Sequence, residues 1–239
     1  ALKLSLYKPA FERFVKEVDA FCFWNRGDFE LFDEHFPNKA AFLPFQYGAF
    51  APEDLHLVDA VKPKDGVHRV LLNHSGSQSG NHLHLLNLLR DVKDVEITVP
   101  LSYGDRAHIA QTIEVGKARF GQAFQPLTEF MQRQDFYRLV NRMNAVIFGH
   151  RRQEAGNTLF ISLLSGAKVY VHPQSVIRPF LDEMEFAYFT WTDIGNAHWM
   201  APLSAEQLEQ NRRGAMNYFS EKKIKRQYRA LFSFEAGKS

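Results

Sequence analysis

The chain has 239 residues, 45% of them hydrophobic, with 22 Phe, a formal net charge of +2 and one cysteine. That apolar content excludes an intrinsically disordered chain and suffices for one large or two small packed domains. The small charge predicts no nucleic-acid partner, the single thiol excludes an intramolecular disulfide and a cysteine-based zinc site, and no apolar run approaches the roughly 20 residues of a membrane span.

In chain order, Pro9–Val18 carries Phe11, Phe14, Val15 and Val18 at helical spacing. Ala20–Trp24 is expected as a buried strand with Cys22 a buried thiol, Asn25–Asp28 as a turn, and Phe29–Phe36 as a helix with Asp28 as its N-cap. Lys39–Phe45 is expected to be extended. One strand-helix-strand unit cannot bury both faces of a sheet, and the chain opens on Ala1 without Met. Residues 1–66 are therefore expected to be the end, or a remnant, of an N-terminal domain plus a linker, Ala51–Gly66, whose KPKDG is a turn signal.

From Arg69 the pattern becomes regular. Strand Val70–Asn73 leads to helix Gly80–Arg90, and strand Val95–Val99 to helix Asp105–Val115. A short segment Phe120–Phe124, helix Asp135–Met143 and strand Ala145–Phe148 follow. Helix Thr158–Leu164 ends at Gly166, a good C′ residue, before strand Lys168–Val171. This alternation predicts an α/β domain over 67–200 with a parallel, Rossmann-like sheet flanked by helices. Residues 201–239 are expected as C-terminal helices, one opened by the capping box Ser204–Gln207 and one spanning Glu221–Phe232. They carry Arg212, Arg213, Lys222, Lys223, Lys225, Arg226 and Arg229 among Tyr218, Phe219, Tyr228 and Phe232. Two readings stand: a solvated amphipathic face, or contact with an anionic membrane surface. No signal peptide is recognised, and the expected place is the cytoplasm, with peripheral attachment to the inner membrane under the second reading.

Ligands of such sheets bind beyond the carboxyl ends of the strands. Two small-residue turns lie there. Ser75-Gly76-Ser77-Gln78-Ser79 joins a strand to a helix; without a following Lys it is no P-loop, and it does not fit G-x-G-x-x-G. A plain turn and a phosphate cradle are both open. Arg151-Arg152-Gln153-Glu154-Ala155-Gly156-Asn157-Thr158 adds two permanent cations and a second helix N-terminus with Asn/Thr capping chemistry. Two helix ends facing one anion would use all of these. Tyr103, in the turn after Pro100, would stack on a nucleobase or cover the sheet edge. His82 and His84 lie on different helix faces and do not chelate; no metal motif is present.

The runs VLLNHSGSQSGNHLHLL, VEITVPLSYGD and FYRLVNRMNAVIFGHRRQEAGNTLFISLLSGAKVYVHPQSVIRPFLDEM resemble the 4-acetamido-4,6-dideoxygalactose (Fuc4NAc) transferases, or 4-alpha-L-fucosyltransferases, of glycosyltransferase family 56. The resemblance is best over 70–190 and continues upstream in FWNRGDFELF and KAAFLPF. It implies a GT-B enzyme of two Rossmann-like domains, the C-terminal one holding a dTDP-sugar. The acceptor is implied to be a polyprenyl-diphosphate-linked saccharide at the cytoplasmic membrane face, in surface-polysaccharide assembly. By position, Ser75, Gly76 and Ser79 match the family's small-residue loop, Pro100 and Tyr103 the block after the next strand, and Arg152, Gln153 and Thr158 the segment entering the later helix. Where many GT-B enzymes have a ribose-gripping Glu, eight residues beyond Glu154, this chain has Ser162.

The expected site is then a metal-independent cradle. The amides of Gly76 and Ser77, with Ser75, Ser79, Arg152, Gln153 and the Gly156–Asn157–Thr158 helix end, hold the donor diphosphate, and Pro100 and Tyr103 face the base or ribose. No catalytic base is assigned, and the chain is expected to be an incomplete fragment for acceptor binding. A non-catalytic nucleotide- or partner-binding module is the alternative.

Overall fold

The computed structural model describes residues 2–46, 58, 62 and 65–235. Two compact units are present, Ala1–Ala49 with Asn217–Ser239, and Phe50–Met216. Most of the predicted linker Ala51–Gly66 lies outside the described residues.

The first unit contains α1 (Leu2–Glu17), β1 (Ala20–Phe23), α2 (Arg26–His35) and β2 (Ala41–Pro44), and the last helix, α9 (Glu221–Phe232). The strands pair in parallel, Ala20 opposite Ala41 and Phe23 opposite Pro44. Helix α2 covers one face, where its Phe29 and Phe32 meet Phe21 and its Phe29 also meets Phe42. Phe11 of α1 stands edge-on to Phe32 and Phe36. Helix α9 adjoins the end of β2: the Phe45 and Tyr228 rings are 5.0 Å apart, and the Gln46 N–H donates to Gln227 Oε1 at 3.1 Å.

Three expectations for this unit are corrected. Helix α1 begins upstream of Pro9, which lies inside it. The N-cap of α2 is Asn25, whose Oδ1 accepts from the Gly27 N–H; Asp28 sits a turn later and accepts from Asn25 Nδ2 at 2.9 Å. Cys22 is exposed. Strand side chains alternate between faces, so Cys22 points away from the face that carries Phe21 and is covered by α2.

The second unit has strands β3 (His68–Leu72), β4 (Val95–Pro100), β5 (Phe124–Leu127), β6 (Ala145–Ile147), β7 (Lys168–Val171) and β8 (Phe189–Thr190), with helices α3 (His82–Leu88), α4 (Arg106–Phe120), α5 (Arg133–Asn141), α6 (Gly156–Ser165), α7 (Arg178–Glu183) and α8 (Ala205–Tyr218). All pairings are parallel, in the order β5-β4-β3-β6-β7-β8. Val70 and Leu72 join Leu85, Leu86 and Leu89 in one buried cluster, and Leu71 between them is equally buried. A strand covered on both faces requires this. The fold is thus α/β, with a Rossmann-type parallel sheet flanked by helices and a partial second α/β unit at the N-terminus.

Here the sequence reading is close, with local shifts. Phe120 ends α4, Gly121 at φ +55 stops the helix, and a 3-10 turn precedes the strand that starts at Phe124 rather than Phe120. Helix α7 and the two-residue β8 are additions; both are too short for any periodicity to register. Ser204 caps α8 as expected, its Oγ accepting from the Gln207 N–H at 3.1 Å while Gln207 Oε1 accepts from the Ser204 N–H at 3.0 Å. Helix α8 docks through buried Asn211, whose amide makes both hydrogen bonds to the Ala187 backbone.

Candidate functional site

The chain starts in the middle of the large sheet and builds first one way, β3-β4-β5, then the other, β6-β7-β8. Order therefore reverses between β3 and β6, and the crevice beyond their carboxyl ends is where parallel α/β sheets take ligands. The loops after those two strands hold the Ser/Gly run and the Arg152–Thr158 run. The fold brings them side by side.

Buried Asn73, at the end of β3, joins them. It adopts φ +57, a conformation that Asn tolerates better than most residues. Its Nδ2 donates to Gly80 O at 2.8 Å and its Oδ1 accepts from the Gly149 N–H at 2.7 Å. Asn81 Nδ2 then donates to Gly149 O at 2.7 Å. The approach is so close that a Cβ on Gly149 would overlap the Gly80 carbonyl. The loop after β4 is attached by the Gly76–Gly104 bridge, with the Gly76 N–H donating to Tyr103 O at 2.8 Å and the Asp105 N–H to Gly76 O at 3.2 Å.

That bridge corrects one expected role. The Gly76 amide is engaged within the protein and does not face a ligand; the glycine is there for close approach to Tyr103 and Ile109. Ser75 is buried with its hydroxyl on Ser77 Oγ at 3.1 Å, and the Ser79 carbonyl accepts from Asn81. Pro100 is buried in the sheet opposite Leu127. Tyr103 is exposed and its ring lies 6.3 Å from that of His74.

The expected Asn/Thr cap of the second helix is also corrected. The residue before α6 is Ala155 in the left-handed conformation, φ 60, and α6 has no side-chain cap. The N–H groups of Gly156, Asn157 and Thr158 thus open the helix without a side-chain acceptor, at its positive end. Asn157 is exposed and Thr158 buried. Ser162 sits deep in α6 and donates to Thr158 O at 2.6 Å, so its hydroxyl serves the helix. Arg152 is 67% exposed and pairs with Glu154 at 2.8 Å, a carboxylate only 10% exposed; Gln153 lies between them in sequence, half-buried.

Sequence reasoning passed over three groups here: His74, His150 and Glu154. His150 is 4% exposed. Its ring lies 5.9 Å from that of His74 and its Nδ1 is 3.1 Å from Arg152 O. Burial pulls His150 down to about 4, against the opposite pull of Glu154, and burial also lowers His74. Lone histidines in apolar surroundings give no sequence signal; Asn73 and Gly149, at strand ends beside the loops, could have been suspected as loop clamps. His82 and His84 are apart as expected: buried His82 bonds His108 at 3.0 Å, and His84 stacks on Trp191. Among the described residues no group of three or more His, Cys, Asp or Glu could hold a metal ion, and no helix is long and apolar enough to cross a membrane.

The family described as 4-alpha-L-fucosyltransferase glycosyl transferase group 56 matches residues 2–236. No curated protein sequence matches the chain. Among solved structures it is similar to sucrose-phosphate synthase from Thermosynechococcus elongatus, at 12% identity and TM-score 0.70, covering 93% of this chain and 60% of that one. A glycosyltransferase from Rickettsia africae ESF-5 gives 12%, 0.67, 93% and 66%. An alpha,alpha-trehalose-phosphate synthase (UDP-forming) from Burkholderia vietnamiensis gives 10%, 0.68, 95% and 62%. At such identities the likeness is one of fold, of the GT-B type. The chain spans about half of OtsA, 51%, and of a trehalose-phosphate synthase from Burkholderia xenovorans, 50%.

Proposed function

Because the chain belongs to glycosyl transferase group 56, we propose that it moves a glycosyl group from a nucleotide-sugar donor to a glycan acceptor, holding the donor diphosphate at the β3/β6 switch point. One observation carries this reading: two loops 76 residues apart in sequence are clamped together at the switch point, the second leading into the uncapped N-terminus of α6. A departing nucleoside diphosphate gains negative charge. The first-turn N–H groups of α6 supply positive potential for that charge without a metal, and the Arg152 guanidinium, paired through Nε with Glu154, has terminal N–H groups to give a phosphate. Residues 67–200 hold the donor in this reading, 1–66 belong to an acceptor-side half, and 201–239 are C-terminal helices.

The finer assignment rests on the family resemblance: a Fuc4NAc-like deoxy-aminosugar on dTDP, passed to a polyprenyl-diphosphate-linked saccharide in surface-polysaccharide biosynthesis. The test is calorimetric titration of the 239-residue chain with dTDP and UDP. Arg152→Ala is expected to weaken nucleoside-diphosphate binding roughly 20-fold, the scale of one charge-assisted contact. A wild-type chain that binds neither nucleotide ends the reading, and an unaffected variant removes Arg152 from it.

A lipid-linked acceptor places the protein at a membrane surface, and α9 supports peripheral attachment. Lys222, Lys225, Arg226 and Arg229 are exposed on it, beside Tyr228 and a Phe232 that is 81% exposed. Sedimentation with phosphatidylglycerol vesicles is expected to recover the chain at low salt. At ~1 kcal/mol per basic residue, Lys225→Ala with Arg229→Ala lowers that binding roughly 30-fold. Equal binding to neutral phosphatidylcholine vesicles would reject the electrostatic reading.

A further inference from the structure

We propose that His150 is a specificity residue of the donor site, accepting a hydrogen bond at Nε2 from a hydroxyl of the ligand. The inference rests on the donor-site reading above and adds a residue that reads a hydroxyl of the donor.

Arg152 O is a carbonyl and can only accept, so the Nδ1 that lies 3.1 Å from it carries the proton and donates. Burial keeps the imidazole neutral at pH 7. A neutral ring protonated at Nδ1 has a lone pair at Nε2, and that atom has no hydrogen-bond partner among the described residues. A buried polar atom left unpaired is costly, and beside a candidate site it is a place where a ligand group can pair.

The surroundings say what kind of group would pair with it. His74 Nδ1, from the ring standing edge-on 5.9 Å away, is also buried and without a partner. The nearly buried Glu154 carboxylate raises the proton affinity of both rings, and the Arg152 guanidinium paired with it lowers it. An imidazole lone pair has nothing to offer phosphate oxygens, which are acceptors, and favours groups with a proton to give. Hydroxyls of a sugar or a ribose are such groups. The phosphates are left to the α6 N-terminus and Arg152, where the donors are.

Two substitutions separate this role from a structural one. In His150→Asn the side-chain amide can still donate to Arg152 O, but no acceptor remains at the Nε2 position. In His150→Gln an amide oxygen reaches toward that position. The probes are dTDP-glucose, dTDP and inorganic pyrophosphate, titrated into the 239-residue chain and both variants, with each variant's thermal midpoint measured without ligand. The expected result is a dTDP-glucose affinity at least tenfold weaker in His150→Asn and largely restored in His150→Gln, with pyrophosphate binding unchanged. Loss of dTDP-glucose alone assigns the hydroxyl to the transferred sugar; loss of dTDP as well assigns it to the ribose. Equal loss of all three probes, or loss of none in a folded His150→Asn chain, overturns the inference while leaving the nucleotide site standing. A wild-type chain that binds no nucleotide overturns both.

Discussion

A Gly149→Ala chain is expected to lose about 4 kcal/mol of stability, beyond the usual overpacking range because the obstacle is main chain, and with it any binding of dTDP or UDP. Gly149 is absent from the residues at positive φ, so conformational freedom is not the reason for a glycine here. The reason is space: a methyl group would overlap the Gly80 carbonyl oxygen, and no rotamer change relieves a clash with backbone. The neighbouring loops would have to part, breaking the Asn73–Gly149 and Asn81–Gly149 hydrogen bonds that hold the crevice together. Urea denaturation followed by circular dichroism measures the loss. Gly121→Ala is the control: at φ +55 with nothing within 4 Å, it costs only the ~1 kcal/mol of a strained left-handed residue. Similar losses at the two positions would show that the β3 and β6 loops are not in contact as described.

Asn73→Ala is expected to cost about 4 kcal/mol, since a buried backbone group left without its partner costs about 1–3 kcal/mol and two are stranded at once. The Gly80 carbonyl loses its donor and the Gly149 N–H loses its acceptor, both inside the protein. A non-glycine, non-Asn residue at φ +57 adds strain. Asn73→Gly removes the strain but not the two vacated partners, so it is expected to recover about 1 kcal/mol of the loss and no more. Asn73→Asp keeps the acceptor for Gly149 but sets a carboxylate oxygen against Gly80 O, and is expected to be at least as damaging as Ala. Urea titrations of the three variants give the ranking. Asn73→Gly at wild-type stability would mean that the side chain clamps nothing.

These two residues show how far the sequence could be read. The strand Lys168–Val171 was legible residue for residue, because an apolar run is bounded by a left-handed Gly166 on one side and by the His172-Pro173 turn on the other. The N-terminus of α2 was placed three residues late, since Asn25 and Asp28 are both good capping residues and only the local backbone, extended at Asn25, decides between them. The apolar neighbours of Cys22 predict a buried thiol, yet a two-stranded sheet covered by a helix on one face leaves the alternate side chains outside. In the candidate site, Ser75–Ser79 and Arg152–Thr158 were found because small residues and arginines beside a helix start are a local signal. The engaged Gly76 amide, the uncapped start of α6 and the buried His150 were not, because each depends on a partner elsewhere in the fold.

The sequence by itself determined the α/β class, the parallel character of the large sheet and the positions of its small-residue loops. Those follow from periodicity and turn chemistry, which act over a few residues. Tertiary structure decided the strand order, and through it that the β3 and β6 loops lie in contact, that one expected amide faces inward, and that a neutral histidine is buried beside them. Contacts between loops 76 positions apart arise only when the crossovers have placed their strands side by side, and no local pattern encodes that neighbour.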